Sequence, residues 1–411
     1  MEKKKTRKQL YRKKHKKGLG KFLFMLVVLI GVSAIGVVAY HALIPKQELA
    51  ATGKKKTAET TTEAEEKQVE TPAAIKGENV TKPNPRAIEQ NDTVPKVEDV
   101  AAIEIDKLLQ SKSFTGTAYI VKNGNEIFRK GYEANENAPM PLGSMEKSMT
   151  AVLLGKAIQE KKLTLQTKLA TFYPNAPNAN ILTLNHLLTM TSGLSDNPKI
   201  DVTFLDTQEN YLQQHIQSTY AKGQIGVWNY DAANYWLLAG ILEKVNNEPF
   251  EKQFKTFFEK YKLDFQNYAQ TKSSPVRVYN YAMQKEDQRN PAGNDVSFTN
   301  EVGTGNMFTS AENLYRYYKK LLTYQFLPKN VTLELLTPYA EGKGYSGGLY
   351  TIQPENYHWG RGVIKGFEST ASISKDGKNA VILFSDNFEK ETRAFTTVNR
   401  SIFKYITTGT F

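Results

Sequence analysis

The chain has 411 residues, 40% apolar and 23% charged, and contains no cysteine. That excludes a disulfide scaffold, thiolate metal sites and cysteine nucleophiles. Its 42 Phe and Tyr and three Trp exclude a chain that is disordered throughout. The net charge of +12 points to a nucleic-acid binder until its position is read. Residues 1–21 hold nine Lys and two Arg against one Glu, which leaves +2 for the other 390 residues. The excess belongs to one short tail and not to a folded basic face, so no nucleic-acid partner is expected.

Residues 1–21 read as a basic cytoplasmic tail. No charged residue occurs from Phe22 to Pro45, and Leu, Val, Ile and Phe dominate there. At about 1.5 Å per residue, some twenty such residues cross a hydrocarbon core of about 30 Å. Basic residues just before the run keep that end in the cytoplasm. The run is longer than the core of a cleaved signal peptide, and no clean A-x-A-like site follows it. Residues 22–44 are therefore expected to form a single-pass signal anchor, with the later domain outside the cell membrane. The tail would then lie against anionic lipid head groups.

Residues 45–96 form a Thr-, Glu-, Lys-, Ala- and Pro-rich linker. No Phe, Tyr or Trp occurs from His41 to Ser113, so little apolar surface is available to offset ordering entropy. A coil of about 50 residues reaches on the order of 40 Å.

The folded domain is expected over 97–411. Val100, Ile103, Leu108 and Leu109 suit an opening amphipathic helix. TGTAYIVKNGNEIFRKGY reads as a hairpin turning at Asn123-Gly124. The region from 144 to 340 reads as mainly helical, with Ser310 as the N-cap of AENLYRYYKKLL. The strands SGGLYTIQ, ESTASIS and NAVILFSDN follow, the last two joined through Asp376-Gly377. A final helix is expected over 391–406. Strands at both ends around a helical middle imply an α/β chain of the α+β type: an antiparallel sheet flanked by helices, with a helical subdomain.

Ser144 and Lys147 form an S-x-x-K at the start of a helix that reads as buried. Residues i and i+3 neighbour each other on a helix, so the hydroxyl and the amine can meet. A serine hydroxyl is a weak nucleophile until a base takes its proton, and a desolvated lysine can do so. The alternative is an N-cap serine beside a solvated lysine. Five histidines leave little scope for a metal centre, and no metal or other cofactor is expected.

The stretch LGSMEKSMTA…ILTLNHLLTMTSGLSD resembles the serine β-lactamase and penicillin-binding-protein superfamily, in particular its class C-related branch with D-Ala peptidases and esterases. The resemblance spans about 100–390. It implies a β-lactamase/transpeptidase-like fold, with Ser144 as the acylated nucleophile and Lys147 as its partner. Met190-Thr191-Ser192-Gly193-Leu194 is similar to the family's H-T-S-G-L, with Met190 in place of a histidine, and His186 reads as a packed residue. Trp228-Asn229-Tyr230-Asp231-Ala232 resembles the family's Y-x-N, which makes Tyr230 the third catalytic residue. A tyrosine beside a cation can relay protons. Ala232 stands where the family has Asn or Asp, with Asp231 and Asn234 as neighbours that could compensate. His358-Trp359-Gly360 matches H-x-G on a strand edging the site. The resemblance then makes the backbone N–H groups of Ser144 and Arg361 the oxyanion hole. Gly344-Tyr345-Ser346-Gly347-Gly348 also fits the hydrolase elbow G-x-S-x-G. That fold needs an acid and then a histidine well beyond the serine, and only His358 follows.

The function these readings imply is a membrane-anchored extracytoplasmic serine hydrolase that works through an acyl-Ser intermediate. Its substrate would be a cell-envelope polymer: a D-Ala ester of teichoic acid or the D-Ala-D-Ala of peptidoglycan. A β-lactamase, or a catalytically retired penicillin-binding-like scaffold, are the alternatives. Oligomeric state is not readable.

Overall fold

Asn123 and Gly124 both adopt positive φ, 53° and 85°, and reverse the chain between β1 (Gly116–Lys122) and β2 (Asn125–Tyr132). This is the turn that a two-residue hairpin requires, because its twist matches that of the strands. The computed structural model describes residues 97–197, 207–273, 298–339, 343–388 and 394–411. All of them belong to one compact unit, residues 89–411. The tail, the apolar run and the linker lie outside the described residues. Among the described residues, no helix is long and apolar enough to cross a membrane.

Four two-residue strands pair locally: β3 (Met140–Pro141) with β6 (Phe308–Thr309), and β4 (Leu194–Ser195) with β5 (Tyr220–Ala221). The main sheet adds β7 (Tyr345–Ser346), β8 (Leu349–Ile352), β9 (Tyr357–Ile364), β10 (Phe367–Ser374) and β11 (Ala380–Ser385). Its order is β2-β1-β11-β10-β9-β8-β7, antiparallel throughout. The first and last parts of the domain thus share one sheet, as the sequence pattern implies.

The sheet is buried on both faces. Tyr119 and Val121 of β1, with Ala380, Ile382 and Phe384 of β11, face the larger core with the helical region. Ala118, Ile120, Val381 and Leu383 face the other way, onto the opening helix Val97–Ser111 and the final helix Thr396–Thr408. The opening helix turns a different row inward from the one its sequence suggests. Ala101, Ile105 and Leu109, at i, i+4 and i+8, are buried, whereas Val100 and Ile103 are exposed. The i, i+4 row lies along one line of a helix, and this line meets the sheet.

Helix Lys147–Gln159 is buried along its first nine residues. It has neighbours on several sides, including helix Ala233–Asn246 and helix Lys329–Leu335. Ser310 caps Ala311–Leu322 by accepting from Asn313 N at 3.2 Å, as expected. Ser346 of the G-x-S-x-G sits within the β7–β8 hairpin, buried, with its hydroxyl donating to Leu335 O at 2.6 Å. That serine is structural.

Candidate active site

Ser144 lies on a short 3-10 turn, Gly143–Glu146, which runs directly into helix Lys147–Gln159. Three main chains meet there, and glycine lets them do so. A Cβ on Gly362 would lie 1.9 Å from Leu142 O, and one on Gly305 would lie 2.9 Å from Gly143 C. Gly143 itself has φ +50° and touches the β9 backbone at Gly362 and Val363. Leu142 N donates to Met307 O at 2.8 Å, and the Ser369 hydroxyl donates to Leu142 O at 2.6 Å. The serine is fixed by backbone on both sides.

One turn on, Lys147 is 1% exposed. Its Nζ donates to Ser144 Oγ at 3.0 Å and to Thr304 O at 3.0 Å. S-x-x-K occurs twice more in the chain, at Ser372–Lys375 and Ser401–Lys404. There both lysines are exposed. Ser372 donates to Asn399 Oδ1 at 2.6 Å, and Lys404 donates to Phe411 O at 2.9 Å. Neither pair resembles Ser144–Lys147.

Tyr230 precedes helix Ala233–Asn246 and is 37% exposed, so it is not a core tyrosine. Its ring lies 5.5 Å from Lys147 Nζ. The loop before it is lashed to the Thr191-Ser192-Gly193 segment: Asn229 N donates to Met190 O at 2.9 Å and Gly226 N to Thr191 O at 2.8 Å. Asp231 accepts from the Ser195 hydroxyl at 2.5 Å and from Ala233 N at 3.1 Å. Asn234 Oδ1 accepts from the Ser192 hydroxyl at 2.6 Å. Both side chains face that segment, so neither supplies the amide or carboxylate missing at Ala232. His186 closes a capping box with Thr183, its Nδ1 3.2 Å from Thr183 N, which gives this residue a local structural role.

Ser144 and Tyr230 line a cleft of about 290 Å³ with Tyr345, Gly348, Tyr350, Trp359, Arg361 and Val363. Pairing of β8 with β9 ends at Tyr350–Trp359, where the β9 edge opens toward the Ser144 turn. Tyr350 bridges Tyr345 at 4.8 Å and Trp359 at 5.1 Å, ring centre to ring centre, so one side of the cleft is an aromatic wall. Trp359 is nearly buried, with Arg400 stacked 4.5 Å from its ring. Gly360 packs below the cleft, where a Cβ would meet Leu349 and Met145 at 3.2 and 3.4 Å.

His358 lies elsewhere. Strand alternation turns it away from Trp359 into a separate cavity of about 360 Å³, which Thr351 and Lys375 also line. Its Nδ1 is 3.3 Å from the Thr351 hydroxyl, and burial pushes its pKa down to about 4. A larger cavity, about 730 Å³, borders the final helix and contains none of the residues of the three motifs. Chemistry, not volume, marks the site.

Sequence reasoning missed Thr304, whose carbonyl holds the lysine, together with Glu146, Tyr345 and Tyr350. The signal for Thr304 was present as Gly303-Thr304-Gly305, a segment in which Gly305 permits close approach to the Ser144 turn.

A family model described as Beta-lactamase matches residues 102–399. The chain belongs to the beta-lactamase family. It is accordingly a serine hydrolase. It is 29% identical over 294 residues to a Bacillus subtilis (strain 168) protein named as a penicillin-binding protein, PbpX, a match covering 69% of this chain and 73% of the relative. It is 23% identical over 272 residues to a teichoic acid D-alanine hydrolase of Staphylococcus aureus (strain NCTC 8325 / PS 47), covering 62% of this chain and 64% of that protein. Among solved structures it resembles FmtA of Staphylococcus aureus, with a TM-score of 0.63 and 19% identity over 79% of this chain and 93% of that one. The D-amino acid amidase of Ochrobactrum anthropi SV3 gives a TM-score of 0.63 at 15% identity, over 76% and 98% of the two chains. At these identities the structural matches speak for the fold.

Proposed function

We propose that this protein is a membrane-anchored extracytoplasmic esterase that removes D-alanine from a teichoic-acid-type polymer through an acyl enzyme on Ser144. The observation that carries the reading is Lys147, buried, with Nζ 3.0 Å from both Ser144 Oγ and Thr304 O beside an open cleft. In the proposed reaction, the Lys147 amine takes the Ser144 proton as Oγ bonds to the ester carbonyl carbon. The carbonyl oxygen becomes an oxyanion held by the N–H groups of Ser144 and Arg361. It collapses with loss of the polymer alkoxide, which takes a proton relayed by way of Tyr230. Water then attacks the acyl-Ser, and D-alanine leaves. His358 has no step in this scheme, because it lines a different cavity.

Ala232 favours ester over peptide. With Asp231 and Asn234 turned away, no side-chain amide among the described residues lines the cleft to bind an amide substrate. The name of the Staphylococcus aureus relative supports the same reading. The uncharged run over residues 22–44, behind a tail of net +10, supports the anchor.

The test is D-alanine release by the full chain from D-alanylated teichoic acid and from a D-Ala-D-Ala peptide. The expected result is release from the polymer, abolished by Ser144→Ala and lowered at least about 1000-fold by Lys147→Ala. Release from the peptide alone would overturn the esterase reading. Protease accessibility of the domain on intact cells checks the topology.

A further inference from the structure

Arg361 enters the scheme above only through its backbone, yet its side chain has a built setting of its own. It lies on β9 on the same face as Trp359 and lines the cleft with Ser144 and Tyr230. Its Nε donates to Glu368 Oε1 at 2.6 Å. Glu368 is fully buried, and its Oε2 accepts from Phe395 N at 2.6 Å while Oε1 also meets the Thr396 hydroxyl at 3.3 Å. The carboxylate is thus anchored by the segment entering the final helix, and it holds the guanidinium by one edge. The two terminal nitrogens have no hydrogen-bond partner among the described residues, and the side chain is one-third exposed. Burial raises the Tyr350 phenol to about 12, against the opposing charge of Arg361. Among the described residues, no carboxylate lines the cleft. Lys343 adds a second cation, 5.6 Å from the ring of Trp228, which itself contacts Tyr345 and Tyr350.

The guanidinium also lies 5.3 Å from the Phe388 ring. With one edge fixed and the other without a hydrogen-bond partner among the described residues, a planar guanidinium suits bidentate binding of a phosphate. Because the fork is held in place before substrate arrives, little side-chain entropy is lost on binding. We propose that the Arg361 side chain is a specificity subsite for a phosphodiester of the polymer, next to the D-alanyl ester that Ser144 attacks. The inference rests on the esterase reading and deepens it: the enzyme recognises a D-alanyl ester carried on a polyol phosphate. A terminal carboxylate, as in a D-Ala-D-Ala stem, offers the same charge. The phosphodiester is favoured because the cleft lacks an amide-binding side chain at Ala232.

Two measurements on the full chain test it. In the first, kcat/KM is compared for D-alanyl-glycerol and for the D-alanyl ester of methyl glycerophosphate, using parent, Arg361→Gln and Arg361→Lys. The parent is expected to prefer the phosphodiester ester about tenfold or more, chiefly through KM, and less so at high salt. Arg361→Gln should erase the preference, read as the ratio of kcat/KM for the two esters, which a uniform change at the oxyanion hole would leave unaltered, and Arg361→Lys should restore part of it. Equal losses on both esters would show that Arg361 only supports the fold, and would overturn the proposal. So would an Arg361→Gln effect confined to a D-Ala-D-Ala peptide and absent from its C-terminal amide.

The second measurement needs no turnover. Ligand-observed NMR follows methyl glycerophosphate binding to the Ser144→Ala chain with and without Arg361→Gln. The basic tail is common to both, so the difference reports the cleft. Weaker binding with Arg361→Gln supports the subsite even if no ester is hydrolysed, in which case the esterase reading alone fails. Equal binding overturns the subsite.

Discussion

Glu146 stands between Ser144 and Lys147 in sequence, and it is fully buried. Its carboxyl group accepts from Met307 N at 2.8 Å and lies beside the Asn306 side-chain amide, on the segment that carries the Thr304 carbonyl. Burial pushes its carboxyl up to about 8, against the opposing effects of the Met307 N–H and the nearby charge of Lys147. The native chain therefore keeps this proton at pH values where the unfolded chain has lost it. The stability this group contributes is fully present below about 4.5 and is lost as pH rises through about 8. Glu146→Gln is expected to match the parent near pH 4.5 and to exceed it at pH 8, with about 2–4 °C in Tm for each kcal/mol regained. Thermal unfolding at the two pH values checks this, and an equal shift at both would refute it. Nothing in the spacing of S-x-x-K marks the intervening glutamate as buried. Its partners come from residues 306 and 307, some 160 positions away, and sequence periodicity cannot see them.

At the scale of elements, the turn signals are the most legible part of the chain. Asn123-Gly124, Asp376-Gly377 and the Ser310 cap each depend on a few adjacent residues, so local chemistry settles them. The glycines around Ser144 differ in kind. Gly124→Ala meets no neighbour, and its cost comes only from φ +85°, about 1 kcal/mol. Gly362→Ala places a Cβ 1.9 Å from Leu142 O, and Gly348→Ala places one 2.2 Å from Ser148 N. Both are expected to displace the nucleophile turn. D-Alanine release per folded molecule should drop at least tenfold in each, while Gly124→Ala keeps full activity. Circular dichroism with active-site titration separates lost fold from lost geometry. The opening helix shows the limit of periodicity. Its apolar residues are spread widely enough that two faces could be buried, and the sheet selected Ala101, Ile105 and Leu109.

Across the described residues, one sheet separates two cores: Met145 of the nucleophile turn packs into the larger one, and Trp359 of the cleft wall into the other. The far core joins the two ends of the domain: Ile105 and Leu109 from the first helix, Val398, Ile402, Phe403 and Ile406 from the last. Asn399 pins the last helix to the sheet, accepting from the Ser372 hydroxyl and donating to Val381 O at 3.0 Å. Ile402 is fully buried there. Ile402→Ala is expected to cost about 2–5 kcal/mol in urea unfolding while leaving kcat of the folded fraction within about twofold. A matching loss of kcat would mean that the two cores act on the cleft together.

What the sequence determined by itself was local or cumulative: a charge excess confined to the tail, an uncharged run long enough for a membrane, and turns and caps written in neighbouring residues. The order of motifs along the chain also implied the fold. The tertiary structure decided which motif copies matter. Three S-x-x-K spacings stand in the sequence, and only Ser144–Lys147 has a buried lysine whose Nζ meets both its serine and a carbonyl from a distant loop. It likewise turned His358 away from the cleft, kept Trp359 and Arg361 in it, and left Ala232 without a substitute. Burial, strand facing and partners brought from far along the chain set the chemistry of a side chain, and none of these is a property of a short stretch of sequence.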